Sequence, residues 1–132
     1  MRGARRATWL FALALAVPVA ARGAQHPLSV SADGRHLVQA DGRPFFYLGD
    51  TAWELLHRLD RAEARIYLED RAAKGFTVVQ TVILAERDGL RVPTPDGHLP
   101  LVDEDPRQPN PAYFEHVDHV VAQAETLGLT VG

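Results

Sequence analysis

The sequence contains no cysteine, a single methionine and, at Lys74, a single lysine. Without cysteine the protein has no disulfide framework, no thiolate ligands for zinc and no cysteine nucleophile. Basic residues are also in deficit, since 14 lysines and arginines stand against 17 acidic residues and give a formal net charge of −3. Nucleic-acid binders usually show a basic surplus, so we expect no nucleic-acid partner.

The length of 132 residues sets a second limit. A complete (β/α)₈ barrel takes about 250 residues, so the chain is long enough for only one domain of ordinary size. The composition, 46% hydrophobic and 23% charged, is typical of a globular protein. Because disulfides are absent, its stability must come from a hydrophobic core.

Long apolar runs are missing as well. Three arginines near the N-terminus precede an apolar run at 9–19, which is too short to span a bilayer because a spanning helix needs about 20 residues. Small residues follow, as at a cleavage site. We interpret residues 1–24 as a secretory signal peptide and 25–132 as the mature chain, which is then secreted or periplasmic with no stable membrane anchor. An uncleaved N-terminal anchor is the alternative.

The first part of the mature chain predicts a small β-hairpin or meander. Asp-Gly pairs, which favour tight turns, flank the segment 36–39. Together with 28–30 and 44–48 this segment predicts three short antiparallel strands. The run 45–48 is continuously apolar, which is typical of a strand covered on both faces.

Two helices alternate with strands in the rest of the chain, after a short helix that Asp50 or Thr51 would cap. The second helix is predicted at 61–74, with a capping box and a glycine stop, and the third starts after Asn110. Apolar strands are predicted at 76–84 and 129–132, and a proline-rich loop at 85–110. The residues predicted to be buried on the two long helices are Ala62, Ile66, Ala73, Phe114, Val117, Val121, Ala124 and Leu127.

The resulting order is a hairpin followed by β-α-β-α-β, which predicts a parallel sheet with right-handed crossovers. The last strand has no helix after it to cover the sheet. We therefore expect an α/β fold that is the N-terminal fragment of a (β/α)₈ TIM barrel, truncated in its third strand.

Ligands bind at the carboxyl ends of parallel strands, which directs attention to Asp50 and Trp53. A carboxylate accepts two sugar hydroxyls, and an indole packs on the apolar face of a sugar ring. The alternative is that Asp50 only caps the short helix and that Trp53 packs inward. Nucleotide-binding glycine fingerprints are absent after this strand.

The second parallel strand and the loop after it supply two further candidate site residues. Glu86 lies just past it and, with Asp50, could form the two-carboxylate arrangement of glycoside hydrolysis; a solvated loop glutamate is the alternative. Gln80 is unusual in so apolar a strand and either points toward substrate in a barrel interior or is a hydrogen-bonded core amide.

Metal ligands are not indicated by the remaining polar clusters. His116 and His119 are three residues apart, whereas helical zinc sites favour a spacing of four, and we place both on the polar face of the third helix. The acidic run 103–105 does not have the spacing of a calcium loop. We expect neither a metal nor another cofactor.

Three segments carry a family resemblance: 49–54 (GDTAWE), 74–80 (KGFTVVQ) and 113–118 (YFEHVD). In order and spacing they are similar to the N-terminal part of apiosidase-like glycoside hydrolases, over about 28–132. The resemblance implies a (β/α)₈ barrel, usually with a C-terminal β-sandwich, that hydrolyses glycosidic bonds in plant cell-wall polysaccharides. The founding activity releases apiose from pectic side chains.

The resemblance also changes the roles of the candidate residues. It implies that the catalytic carboxylates come from later strands, beyond Gly132, so this fragment lacks the catalytic pair. Asp50, Trp53, Gln80 and Glu86 then become candidate substrate-binding residues for a carbohydrate. The competing hypothesis is a stand-alone secreted carbohydrate-binding module that uses Asp50 and Trp53 as a sugar platform and does not hydrolyse.

Overall fold

The computed structural model describes residues 28–132 and has a mixed α/β fold; the predicted signal peptide lies outside this part of the chain. Eight helices and strands make up the described fold, together with a 3₁₀ turn at Val102–Glu104. In chain order they are β1 (Ser29–Val30), β2 (Leu37–Val38), β3 (Gly49–Thr51), α1 (Leu55–Arg58), α2 (Arg61–Ala73), β4 (Val78–Gln80), α3 (Pro111–Thr126) and β5 (Thr130–Val131).

Two sheets form within the described residues. β1 and β2 pair antiparallel, and Gly34 and Gly42, in the turns beside them, adopt the left-handed φ of 70° and 81° that Asp-Gly turns favour. β3, β4 and β5 form a parallel sheet in sequence order. The predicted hairpin followed by β-α-β-α-β is therefore confirmed for this part of the chain.

The third strand of the predicted meander is wrong. The segment before β3 makes only one bridge to β2, between Val38 and Pro44. Phe46 is 73% exposed and Tyr47 51% exposed, so this apolar run is not covered on both faces. The chain meets β4 only from Leu48 onward, where the carbonyl oxygen of Leu48 accepts from the Val78 N–H, and the strand therefore lies at 49–51.

Local capping explains where the two long helices begin. The Asp60 carboxylate accepts from the backbone N–H groups of Ala62 and Glu63, and the Glu63 side chain accepts from the Asp60 N–H, which completes the predicted capping box. Asn110 likewise caps α3, with proline at the first helical position. α1 differs from the prediction: its N-cap position is Glu54, without a side-chain cap hydrogen bond, and neither Asp50 nor Thr51 caps it.

The helix faces that pack inward are only partly the predicted ones. On α2, Ala64 and Leu68 are buried, whereas Ile66 is 66% exposed. Ala62 and Ala73 are also exposed. Ala64 and Leu68 lie four residues apart on one side of the helix, and Ile66, halfway between them in sequence, points to the opposite side.

α3 shows a similar rotation of the predicted stripe. Val117 and Ala124 are buried as expected, but Val120 is buried in place of Val121, which is 40% exposed. His116, predicted on the polar face, is buried, whereas His119 is exposed. The stripe is shifted because Tyr113 and His116 also face inward, one turn before Val117 and Val120.

One face of the parallel sheet carries the core. Its buried members come from the sheet, from all three helices and from the segment that leads into β5, namely Leu55, Leu56, Ala64, Leu68, Val79, Tyr113, Val117, Val120, Ala124 and Leu129. On the other face the ring of Tyr47 lies against Gly49, where a Cβ atom would come within 3.1 Å of the ring. Within 28–132, no helix is long and apolar enough to cross a bilayer.

Candidate functional site

The carboxyl ends of β3 and β4 lie side by side. The register places Thr51 opposite Gln80, and beyond β3 the Ala52 N–H donates to the Gln80 carbonyl oxygen at 2.8 Å. One step further the Val82 N–H donates to the Trp53 carbonyl oxygen at 3.4 Å. Trp53 and Gln80 are thus brought to one edge of the sheet, where parallel α/β proteins bind their ligands.

Trp53 is exposed at this edge. Its side chain is 45% accessible, so it does not pack inward as the alternative interpretation required. Its backbone is held in place, because the carbonyl oxygen of Trp53 also accepts from the Thr81 hydroxyl at 3.4 Å. An indole in this position offers an open apolar face on a fixed backbone, and sugar rings stack on such faces.

Gln80 lies on the face of the sheet that carries no helix in the described part of the chain. Its Oε1 atom is 3.9 Å from the position that a Cβ atom of Gly49 would occupy, which places both residues on the same face. Gln80 is exposed and is therefore not a core amide. In a closed barrel this face is the interior.

Asp50 points the other way, toward α2. One carboxylate oxygen accepts from the Tyr67 hydroxyl and from the Arg71 guanidinium, both at 2.7 Å, and the other accepts from the Thr51 N–H. The Tyr67 hydrogen bond and then Arg71 lower the pKa of Asp50. Burial and the Asp50 carboxylate raise the pKa of Tyr67 to about 12. Asp50 thereby ties β3 to α2.

The structure does not bring Asp50 and Glu86 together as a catalytic pair. The Asp50 carboxylate is bonded on the helix side of the sheet, whereas Glu86 is an exposed residue of the loop after β4. Glu86 lines a small cleft with Leu84, Asp88 and the ion pair between Arg91 and Glu104.

Sequence reasoning missed the buried imidazole of His57. Its Nε2 donates to the Val92 carbonyl oxygen at 2.9 Å, and its Nδ1 contacts the Glu54 carboxylate at 3.1 Å. This hydrogen bond, together with Arg58, lowers the pKa of Glu54. The spacing of three between Glu54 and His57 allows a contact on a helix, but nothing in the sequence indicates a partner 35 residues further on.

The Glu54 carboxylate also acts on Tyr113, a core residue that lies below the loop after β4. Burial and the charge of Glu54 raise the pKa of Tyr113, and its hydroxyl donates to the carbonyl oxygen of Ile83. Tyr113 thus holds the segment that leaves β4, as His57 holds the loop further along. The exposed edge around Trp53 and Ile83 is supported from beneath by these two buried groups.

Metal binding is not indicated by the described residues. Between positions 28 and 132 no cluster of three or more histidine, aspartate or glutamate side chains has a geometry that could hold an ion. The two histidines of α3 do not act together, because His116 is buried and His119 is exposed.

The fold and this edge define a class: an α/β protein with an exposed tryptophan at the carboxyl ends of its parallel strands, where folds of this kind bind ligands. Comparison with known families is more specific. Residues 31–132 match the family profile "Apiosidase-like, catalytic domain", and the chain therefore belongs to the apiosidase-like family. No curated protein is similar enough to count as a relative.

Glycoside hydrolases are among the solved structures that are similar to this chain. A glycoside hydrolase family 5 protein from Bacteroides vulgatus is 32% identical, with a TM-score of 0.67 over 80% of this chain and 23% of its own length. A second structure, described as a glycoside hydrolase, is 33% identical, with a TM-score of 0.66 over 81% of this chain and 24% of its own. The chain thus spans about a quarter of the length of each.

Proposed function

We propose that this chain forms the first β-α units of a (β/α)₈ catalytic domain in a secreted glycoside hydrolase that acts on plant cell-wall, pectic polysaccharide. The family match and the two glycoside hydrolases of similar fold support a hydrolase that acts on carbohydrate. Because each solved structure is about four times longer than the matched region, the proposal places the catalytic acid and nucleophile in strands that follow Gly132. The match is to a catalytic domain, so a stand-alone binding module is not favoured.

The observation that carries the proposal is the exposed indole of Trp53 at the joint carboxyl edge of β3 and β4. In the proposed complex one sugar ring stacks on Trp53, and the Gln80 amide donates to or accepts from its hydroxyls. Glu86 reaches the sugar from the loop after β4. Hydrolysis then needs two carboxyl groups on either side of the scissile bond, supplied from beyond this chain.

Asp50 contributes to the same pocket as a positioning residue. Its carboxylate faces α2 and holds the β3 end against Tyr67 and Arg71, so it fixes the strand from which Trp53 projects. We assign sugar contact to Trp53, Gln80 and Glu86, and assign to Asp50 the rigidity of their support.

Replacing Trp53 with alanine tests the sugar platform. Stacking on an aromatic face contributes about 0.5–1.5 kcal/mol beyond the area it buries, so Trp53→Ala should weaken binding of pectin-derived oligosaccharides about tenfold. Binding is followed by NMR titration of the 132-residue chain. Ile66→Ala removes a comparably exposed apolar side chain from the far side of α2 and should leave the affinity unchanged.

A reducing-sugar assay on pectin tests the catalytic part of the proposal. The protein encoded by the reading frame extended past codon 132 should release sugar, and Trp53→Ala in that protein should lower the rate. A frame that stops at codon 132 and yields no sugar-binding protein would contradict the proposal. Secretion is tested separately by the N-terminal sequence of the exported protein, which should begin near residue 25.

A further inference from the structure

A second polar cleft lies at the start of the two long helices, away from the Trp53 edge. We call it the His116 cleft; its polar lining is Asp60, Arg61, Asp96, His98, Glu115 and His116, and its volume is about 540 Å³. Small-molecule sites typically have volumes of about 300–1,000 Å³. The residues come from the N-terminal turns of α2 and α3 and from the turn 94–98 that packs against them.

His116 gives this cleft an unusual chemical feature. Its side chain is only 3% exposed, yet neither ring nitrogen has a hydrogen-bond partner among the described residues. A buried polar group without a partner costs about 1–3 kcal/mol, so an unpaired imidazole lining a cleft indicates a partner that enters from solvent. Burial lowers the pKa of His116 against the opposing effect of the Asp96 carboxylate. This shift favours the neutral ring, in which one nitrogen donates and the other accepts.

Asp96 stands at a distance that suits a bridging group. Its carboxylate oxygen is 3.8 Å from Nδ1 of His116, too far for a direct hydrogen bond. One hydroxyl oxygen at about 2.8 Å from both atoms would close this gap, accepting from the ring N–H and donating to the carboxylate. The turn that carries Asp96 has a defined conformation, because the buried Thr94 forms hydrogen bonds across it to the backbone of Gly97 and His98.

The charges around the cleft decide between ligand classes. Three carboxylates (Asp60, Asp96 and Glu115) face one guanidinium, that of Arg61, which bonds to Glu115 at 3.5 Å. An anionic ligand is therefore disfavoured. A metal ion is disfavoured too, since the described residues contain no three-ligand group. Neutral ligands with several hydroxyl groups suit carboxylates and an imidazole, which accept from and donate to them.

We propose that the His116 cleft is a second binding site for a neutral sugar, one hydroxyl of which bridges the His116 ring and the Asp96 carboxylate. The remaining hydroxyls donate to Glu115 and Asp60, and Arg61 donates to a ring or hydroxyl oxygen. The proposal rests on the proposed function only for the choice of a sugar as ligand. Its residues are separate from Trp53, Gln80 and Glu86, so the two sites can be observed independently.

The test is an NMR titration of the 132-residue chain with D-xylose and, separately, with D-galacturonate at pH 7. Long-range ¹H–¹⁵N spectra report the His116 ring nitrogens, and the indole N–H of Trp53 reports the other site. We expect xylose to shift the His116 signals in a saturable, millimolar titration and galacturonate to bind at least tenfold more weakly. This comparison needs no variant and so does not depend on a variant folding.

Two variants sharpen the result. Asp96→Ala should abolish the xylose response of His116, whereas Asp118→Ala, an exposed position two residues further along α3, should preserve it. The proposal would be overturned by His116 signals that do not change with xylose, or by His116 signals that respond only to zinc. It would also be overturned if galacturonate bound as tightly as xylose, or if the xylose response of His116 survived Asp96→Ala. A xylose shift confined to the Trp53 signal would overturn the His116 site and support the sugar platform at Trp53. A shift confined to the His116 signals would support the His116 site and count against the platform at Trp53.

Discussion

At the scale of single residues, the clearest electrostatic feature is the carboxylate of Asp50 between a phenol and a guanidinium. The Arg71 cation also lies 5.2 Å from the centre of the Tyr67 ring and 5.4 Å from that of Phe76. Arg71 bonds to Asp70 as well. Asp50 is therefore one member of a partly buried network that orients the β3 end.

Asp50→Asn should lower the free energy of unfolding by about 1–2 kcal/mol, because a hydrogen-bonded charge is lost in a site that is more than a quarter solvent-exposed. The pKa of Asp50 is lowered in the folded protein, so its contribution is present above the unfolded value of about 3.9 and disappears as the pH falls through the folded value. Urea unfolding at pH 7 and pH 3 measures both effects.

The control for Asp50 is Asp118→Asn on the exposed side of α3, which should change stability by less than about 0.5 kcal/mol. If Asp50→Asn and Asp118→Asn were equally mild at pH 7, the network would contribute nothing measurable. At pH 3 the difference between Asp50→Asn and the unmodified chain should shrink, because Asp50 then binds a proton in the unfolded state more readily than in the folded state.

The residue scale is also where sequence reasoning was weakest. The sequence predicted a strand at 44–48 with Asp50 and Trp53 after it, whereas β3 lies at 49–51 and contains Asp50. Spacing alone also does not say which face of the sheet a side chain occupies. Asp50 turned out to face the helices and Trp53 the solvent. His116 was placed on the polar side of α3, although it lies in the same turns as Tyr113 and Val117 and is buried.

At the scale of secondary-structure elements, the long loop after β4 is fixed by contacts to elements far away in sequence. His57 of α1 binds the Val92 carbonyl oxygen, and Tyr113 of α3 binds that of Ile83. A bridge between Leu101 and Pro109 closes its last part. The loop beside Trp53 and Glu86 therefore has a defined conformation although it contains no long regular element.

His57→Ala should release this loop. The substitution removes the buried ring, leaves the Val92 carbonyl oxygen without its partner and leaves Arg58 as the remaining partner of Glu54. We expect a cost of about 2–3 kcal/mol. Amide hydrogen exchange between residues 86 and 93 should accelerate more than exchange in α2. A uniform acceleration over all elements would show instead that His57 supports the whole fold and does not tether this loop in particular.

Asn110 provides a second prediction at this scale, because its side chain has two separate partners. Its Oδ1 accepts from the Ala112 N–H at 3.2 Å, and its Nδ2 donates to the Leu99 carbonyl oxygen at 2.8 Å. Asn110→Ala loses the cap and the loop contact and should cost about 1–2 kcal/mol. Asn110→Asp retains the cap acceptor and should recover part of that loss in thermal unfolding; equal losses for both variants would assign the effect to the Leu99 contact alone.

The helix ends were predictable because capping is local. Asp60 with Glu63, and Asn110 with Pro111, lie within four residues of one another and satisfy backbone groups of their own helix. Strand length is not local, since a strand continues only while a neighbour pairs with it. The apolar run 76–84 was expected as one strand, but β4 ends at Gln80, and Ile83 and Leu84 are nearly half exposed beyond it.

At the scale of the whole molecule, the parallel sheet is covered unequally. α2 and α3 pack on one face, while the outer edges of β3 and β5 have no strand partner within residues 28–132. Large apolar side chains near the sheet are exposed, among them Phe46, Tyr47, Ile83 and Leu84. Open strand edges and apolar patches promote association between chains.

We therefore expect the 132-residue chain to bind the dye ANS and to associate with itself as its concentration is raised. The same residues within a longer protein that carries the following β-α units should do neither, because the added strands would cover the edge of β5 and the exposed face. Sedimentation and ANS fluorescence on both proteins measure this. A monomeric 132-residue chain without dye binding would show that its sheet is self-sufficient.

The order of the three parallel strands has a consequence for how the protein is made. Because β3, β4 and β5 are adjacent in space in the order of synthesis, each β-α unit can dock on the one before it as the chain leaves the ribosome. Short-range connections of this kind favour fast folding. A sheet of this order can be assembled one strand at a time, since each new strand is added beside the last without disturbing those already in place.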